Sequence, residues 1–262
     1  MPRRTAPPPG RCAGSPPPPT GHCRAAACWC RWPRRTGPSS PQYSREVGDV
    51  RAPAAVLFDV DGVLLDTGDL FRGVWSRWAA GHGLDPGRVL ARTSGRRTAD
   101  VLDEVAPHLD PAVERQALDA LTRERMAEVR PVSGAAPLLR ACRRLPWAIV
   151  TSGSRWFVGE CFRSTGLPLP AVAVYDEDVR HGKPAPEGYV TAARRLGVTP
   201  DRCVVIEDAP DGVRAAKSAG CAVFAVTTTH TPAQLAEADA CAPTLAAVRD
   251  LLWRARDEGV DR

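Results

Sequence analysis

Five short apolar runs, at residues 55–58, 148–150, 171–174, 203–206 and 222–226, punctuate the chain at intervals filled by helical patterns. Apolar runs of this length, bounded by polar residues, suit strands buried on both faces. Between them, residues 134–144, 187–196 and 210–219 carry helical spacing; Gly197 and Gly220 close the last two, and Pro210 opens the third. Strands alternating with helices predict an α/β fold with a doubly wound, mostly parallel, Rossmann-like sheet. One segment breaks the alternation. Residues 67–130 hold no strand pattern but three helix-like stretches, 70–80, 98–105 and 111–129. They predict a small helical domain inserted after the first strand.

The expected division is therefore a leader at 1–50, an α/β core at 51–66 and 131–262, and the helical insertion at 67–130. The leader is compositionally separate. It carries eight Arg, no Lys and two acids, Glu46 and Asp49, while the whole chain is only +5. It also holds 11 of the 26 prolines, which exclude regular helix and central strand. With few aliphatics to form a core, it reads as disordered. No apolar segment of signal-peptide length follows Arg3 and Arg4. Lysine occurs only at 183 and 217, a usage that points to a GC-rich genome and to an expected true start at Val47 or Val50. No stretch reaches the roughly 18 apolar residues of a membrane helix. The widely spaced Cys142, Cys161, Cys203, Cys221 and Cys241 suit a reduced cytoplasm rather than a disulfide scaffold.

In open α/β sheets, ligands bind beyond the carboxyl ends of the strands. The first strand runs into Asp59-Val60-Asp61-Gly62, the second into Thr151-Ser152-Gly153, and the run at 203–206 into Glu207-Asp208; Lys183 stands in Gly182-Lys183-Pro184 before a helix. Such a rim suits phosphoryl transfer with Mg2+, a hard cation that takes carboxylate and phosphate oxygens. Asp59, Asp61 and Asp208 repel one another unless a cation neutralises them. One aspartate can act as nucleophile, and another two residues on can protonate the leaving oxygen and then activate water. Gly62 permits an unusual loop conformation. Thr151, Ser152 and the N–H groups around Gly153 can hold phosphate oxygens, and Lys183 can offset the negative charge.

These strings resemble the four motifs of the haloacid dehalogenase superfamily, in order: Phe58-Asp59-Val60-Asp61-Gly62-Val63, Val150-Thr151-Ser152-Gly153, Gly182-Lys183-Pro184 and Ile206-Glu207-Asp208-Ala209-Pro210. The resemblance covers about residues 54–252. It implies that Asp59 is the nucleophile and Asp61 the general acid/base, and that Thr151 binds and Lys183 stabilises the transferring phosphoryl group. It also implies that Asp59, the Asp61 carbonyl and Asp208 hold Mg2+, with Glu207 binding or orienting the metal shell. The insertion then corresponds to a cap. Its string Ser94-Gly95-Arg96-Arg97-Thr98 is similar to that of glycerol-3-phosphatases and 2-deoxyglucose-6-phosphatases, which implies that Arg96 or Arg97 reaches the substrate.

The expected activity is Mg2+-dependent hydrolysis of a small sugar or polyol phosphate through an aspartyl phosphate. The implied partner is a small phosphorylated metabolite, not nucleic acid or membrane, and the expected state is a monomer or weak dimer. Asp61 argues against dehalogenation, and the lack of Lys between residues 62 and 182 argues against a Schiff-base phosphonate hydrolase. A β-phosphoglucomutase-like mutase stays open through Asp66-Thr67 and Trp75, although Phe71 stands where such mutases carry histidine. Phosphoglycolate phosphatase stays open as well. A non-enzymatic binding module is disfavoured because neither the nucleophile nor a metal ligand is lost.

Overall fold

The computed structural model describes residues 52–258. The expectations for the leader, including a start at Val47 or Val50, lie outside the described residues. The chain begins with β1 (Ala55–Phe58) and the two-residue β2 (Leu65–Asp66), then passes through four helices, α1 (Gly68–Gly81), α2 (Pro86–Leu90), α3 (Thr98–Val105) and α4 (Pro111–Arg125). It returns through β3 (Arg130–Pro131), which pairs antiparallel with β2 and closes the neck of the insertion. The remainder alternates: α5 (Ala135–Cys142), β4 (Trp147–Val150), α6 (Arg155–Thr165), β5 (Val172–Val174), α7 (Glu187–Leu196), β6 (Cys203–Glu207), α8 (Pro210–Ala219), β7 (Ala222–Val226), β8 (Ala240–Ala242) and α9 (Leu245–Glu258).

Six strands form one parallel sheet in the order β5-β4-β1-β6-β7-β8. The strand order reverses direction around β1, which sets the ligand crevice at its carboxyl end. The two faces of β1 divide by alternation. Val56 and Phe58 join a core with Leu138 and Leu139 of α5, Phe162 of α6 and Leu252 of α9. Ala55 and Leu57 join a second core with Ala192 of α7 and Val213 of α8. The first core runs on into the insertion, where Leu70, Trp75, Trp78, Val101 and Leu118 are buried. Within it Glu114 accepts a hydrogen bond from the Trp78 indole at 2.7 Å, so burial leaves that carboxylate partnered.

Several expected boundaries move. The helix expected over 111–129 stops at Arg125 and tightens into a 3-10 turn at Met126–Glu128. The stretch expected over 134–144 is helical only over Ala135–Cys142, because Gly134 takes φ +92° and starts it. The neck strands β2 and β3 are too short to carry a period, and α2 is a five-residue helix started by an Asp85 cap on the Gly87 amide. No helix among the described residues is long and apolar enough to cross a membrane.

Candidate active site

The loop after β1 turns within four residues. The Val60 carbonyl accepts from the amides of Leu64 and Leu65 at 2.8 and 2.9 Å, and the Gly62 amide donates to the Leu65 carbonyl at 2.8 Å. Gly62 sits at φ +78°, and a β-carbon there would lie 2.1 Å from the Asp208 carboxylate. Glycine thus serves the turn and lets the loop approach Asp208. The turn sends Asp59 and Asp61 out of the sheet rim side by side.

Asp59, Glu207 and Asp208 are buried with carboxylate oxygens within 4.8 Å of one another. Lys183 lies between two of them. Its ammonium donates to Asp59 in a short ion pair and to Glu207 at 2.6 Å. Glu207 is saturated: one oxygen accepts from Lys183 and from the Tyr189 hydroxyl at 2.8 Å, the other from the amides of Asp208 and Ala209 at 2.8 and 3.0 Å. Such a carboxylate orients Lys183 more directly than it offers a lone pair to a cation. Asp61 accepts from the Thr67 hydroxyl at 2.8 Å, and the Thr151 hydroxyl stands 3.5 Å from its other oxygen.

The electrostatics follow from burial. Desolvation pushes Asp59 up to about 8 in spite of Lys183, and it raises Asp61 against the Thr67 hydrogen bond. Asp208 is raised by burial and by the charges of Glu207 and Asp59. Burial would lower the Lys183 ammonium, but Asp59 and Glu207 override it and hold the group well above the usual lysine value. A surplus of buried negative charge around one lysine is a donor set that fits Mg2+, with Asp59 and Asp208 as side-chain ligands. Raised carboxyl groups stabilise the metal-free fold fully below their unfolded value of 3.8, and that contribution is lost as pH rises through about 8 for Asp59. A cation must displace those protons. The rise in Tm brought by Mg2+ is therefore expected to be larger at about pH 8 than at about pH 6. Melting curves with Mg2+ and with chelator check this, and an increment that shrinks with pH would argue against a carboxylate site.

Above the acids lies a cavity of about 560 Å3 between the rim and the inserted helices. Of the expected site residues, Asp59, Asp61, Gly62, Arg96, Ser152, Gly153 and Asp208 line it. Thr151, Lys183 and Glu207 stand behind that wall, buried and bonded to the acids. The Ser152 hydroxyl donates to the Gly95 carbonyl of the inserted segment at 2.8 Å. Arg97 is not brought to the cavity. Its guanidinium binds Asp100 at 2.6 and 2.8 Å and the Val179 carbonyl at 3.2 Å, so it clamps α3 to the loop that precedes Lys183. Arg96 faces the cavity but pairs with Glu104 at 2.5 Å.

Other polar groups at the site escaped sequence reasoning. Thr228 donates to the Gly62 carbonyl at 2.6 Å, Thr229 to Asp208, and His230 Nδ1 stands 2.9 Å from the Asp208 carbonyl. The signal was available, since Thr227 to His230 follow a buried strand, β7, as the other rim residues follow theirs. Tyr189 gave no such signal, because a tyrosine on a helix reads as core until its hydroxyl is located.

A parallel sheet with an inserted helical cap, and paired aspartates facing a lysine at the central strand end, define an α/β phosphotransferase architecture. The sequence pattern of the haloacid dehalogenase-like hydrolases matches residues 53–220, and the chain belongs to that family. It is 38% identical over 188 residues to hexitol phosphatase A of Escherichia coli, covering 70% of this chain and 87% of that protein. It is 36% identical over 201 residues to validoxylamine A 7'-phosphate phosphatase of Streptomyces hygroscopicus, covering 74% and 94%. Among solved structures, CbbY from Rhodobacter sphaeroides, in complex with phosphate, superposes with a TM-score of 0.65 at 29% identity, covering 75% of this chain and 96% of that one.

Proposed function

We propose that the protein is a Mg2+-dependent phosphatase that hydrolyses small sugar or polyol phosphate monoesters through an aspartyl phosphate on Asp59. The observation that carries this reading is the pairing on one turn: Asp59 fixed by Lys183, and Asp61 fixed by Thr67, both facing one cavity. Asp59 attacks phosphorus while Asp61, which burial keeps ready to hold a proton, protonates the departing ester oxygen. Asp61 then takes a proton from the water that attacks the aspartyl phosphate, and Asp59 is released with inorganic phosphate. Lys183 offsets charge on Asp59 and on the phosphoryl oxygens, and the Thr151 hydroxyl, oriented by the Gly153 amide that donates to it at 2.9 Å, donates to the latter. Asp59, Asp208 and the Asp61 carbonyl would hold Mg2+, which supplies positive charge to offset repulsion between nucleophile and phosphate. The substrate class draws on the relatives, which are named for a hexitol phosphate and a validoxylamine phosphate activity.

The same reading includes residues 67–130 as the cap, a monomer or weak dimer, and a reduced cytoplasmic setting in keeping with the free thiols of Cys142, Cys161, Cys203 and Cys221. Water exclusion by the cap suits the chemistry. Phe71 lines the cavity and packs on Phe157 with ring centroids 5.2 Å apart, and it offers no proton. Hydrolysis is accordingly expected over phosphoryl migration. Incubation with Mg2+ and a panel of sugar and polyol monophosphates, including β-glucose 1-phosphate, should release inorganic phosphate. Glucose 6-phosphate formed faster than free phosphate would replace this reading with a mutase.

A further inference from the structure

The inserted helix α4 presents Arg115, Asp119 and Thr122 to the cavity, at helical spacing on one face. Two of the three are occupied within the protein. Arg115 binds Asp176 of the core at 2.6 Å, and the Thr122 hydroxyl donates back to the Leu118 carbonyl at 2.8 Å. Asp119 is different. It is half-buried, and among the described residues no group donates a hydrogen bond to it. Burial raises its carboxyl group against the nearby charges of Arg115 and Arg123. Arg123 itself lies over the Trp156 ring at 4.5 Å. The other cavity cations are engaged too: Arg72 binds Asp69 at 2.7 Å and Arg96 binds Glu104 at 2.5 Å. Beyond the phosphate end, the cavity thus offers paired guanidiniums and an acceptor with unused lone pairs.

We propose that Asp119 determines specificity, accepting hydrogen bonds from hydroxyl groups of a neutral leaving group and repelling a second anion. The inference rests on the phosphatase reading above and narrows its substrates to monophosphates with an uncharged, hydroxyl-bearing remainder. A carboxylate accepts two hydroxyls from neighbouring carbons, and an unpartnered, half-buried acceptor discriminates sharply against a group that cannot donate to it. A substrate ending in carboxylate or a second phosphate would meet like charge at Asp119, where the nearby Arg115 and Arg123 are already held by Asp176 and by the Trp156 ring.

The test compares kcat/KM for glucitol 6-phosphate and for 2-phosphoglycolate in the wild type, Asp119→Asn and Asp119→Ala, with p-nitrophenyl phosphate as a reference substrate. The ratio of two substrates on one preparation is insensitive to any loss of folded enzyme. Asp119→Asn keeps hydrogen-bonding capacity and removes charge, so its main effect should be a gain on phosphoglycolate. Asp119→Ala also removes the acceptor, so the glucitol 6-phosphate KM should rise as well. In both variants the polyol-to-phosphoglycolate ratio is expected to fall by about tenfold or more. A ratio within about twofold of wild type in both variants would overturn the role of Asp119 and leave the phosphatase reading standing. A wild type that cleaves p-nitrophenyl phosphate but no sugar or polyol phosphate would overturn the reading itself, and this inference with it.

Discussion

Asp59→Asn is expected to lower kcat by at least about 10^4-fold while leaving the protein folded. Removing a covalent nucleophile typically costs this much or more, because every later step depends on the bond it forms. The amide keeps the shape of the carboxylate, so packing at a residue only 5% exposed is preserved. Lys183 loses one partner but retains Glu207 at 2.6 Å, so it is not left as an isolated buried charge. The amide is also a poorer ligand for a hard cation. The Mg2+-dependent rise in Tm should shrink together with activity, whereas the circular dichroism spectrum should match wild type. Retained turnover in rigorously purified variant protein would remove Asp59 from the mechanism.

The second large effect is on stability. Lys183→Met leaves Asp59, Glu207 and Asp208 buried without their cation. Removing one partner of a buried, hydrogen-bonded ion pair costs about 3–5 kcal/mol, because the remaining charge keeps its desolvation penalty and loses its compensation. For a chain of this size that corresponds to a Tm lower by roughly 10 °C in the presence of chelator. Methionine approximates the length and apolar stem of lysine, so the loss reports charge rather than a void. Mg2+ should restore part of the stability, since a bound cation takes over the neutralisation, but not the activity. Denaturant titration with and without Mg2+ measures both effects. An unchanged midpoint in chelator would mean that the lysine contributes little to holding the acids together.

The candidate site was legible in the sequence where its residues stand at or just beyond the carboxyl ends of strands. Asp59, Asp61, Thr151, Glu207 and Asp208 all follow buried apolar runs, and the parallel sheet brings strand ends together whatever the loops do. The inserted helices were legible as a gap in the alternation, and α3, α7 and α8 begin and end where their apolar spacing, prolines and glycines place them. Arg97 illustrates the limit. Its neighbours in sequence place it at a helix start beside Arg96, and nothing local separates the two. In the fold, the extended backbone at Arg97, just before α3, separates the two: Arg96 lines the cavity, while Arg97 binds Asp100, Val179 and the loop before Lys183.

Strand order, the merging of the inserted helices with one face of the core, and the partners of each charged group belong to tertiary structure alone. The sequence by itself determined the alternation of strands and helices, the place of the insertion, and the acids, hydroxyls and lysine that meet at the rim. Those features are local: apolar period, turn residues and strand ends act over a few neighbours. Which acid binds the lysine, which arginine faces the cavity, and which carboxylate is left with free lone pairs depend on side chains tens of residues apart. Asp119 is separated from Asp176 by the whole of α5, β4, α6 and β5, yet the guanidinium that leaves it unpartnered is the one Asp176 holds. Competition for a shared partner is decided by distance in the folded chain, and only packing sets that distance.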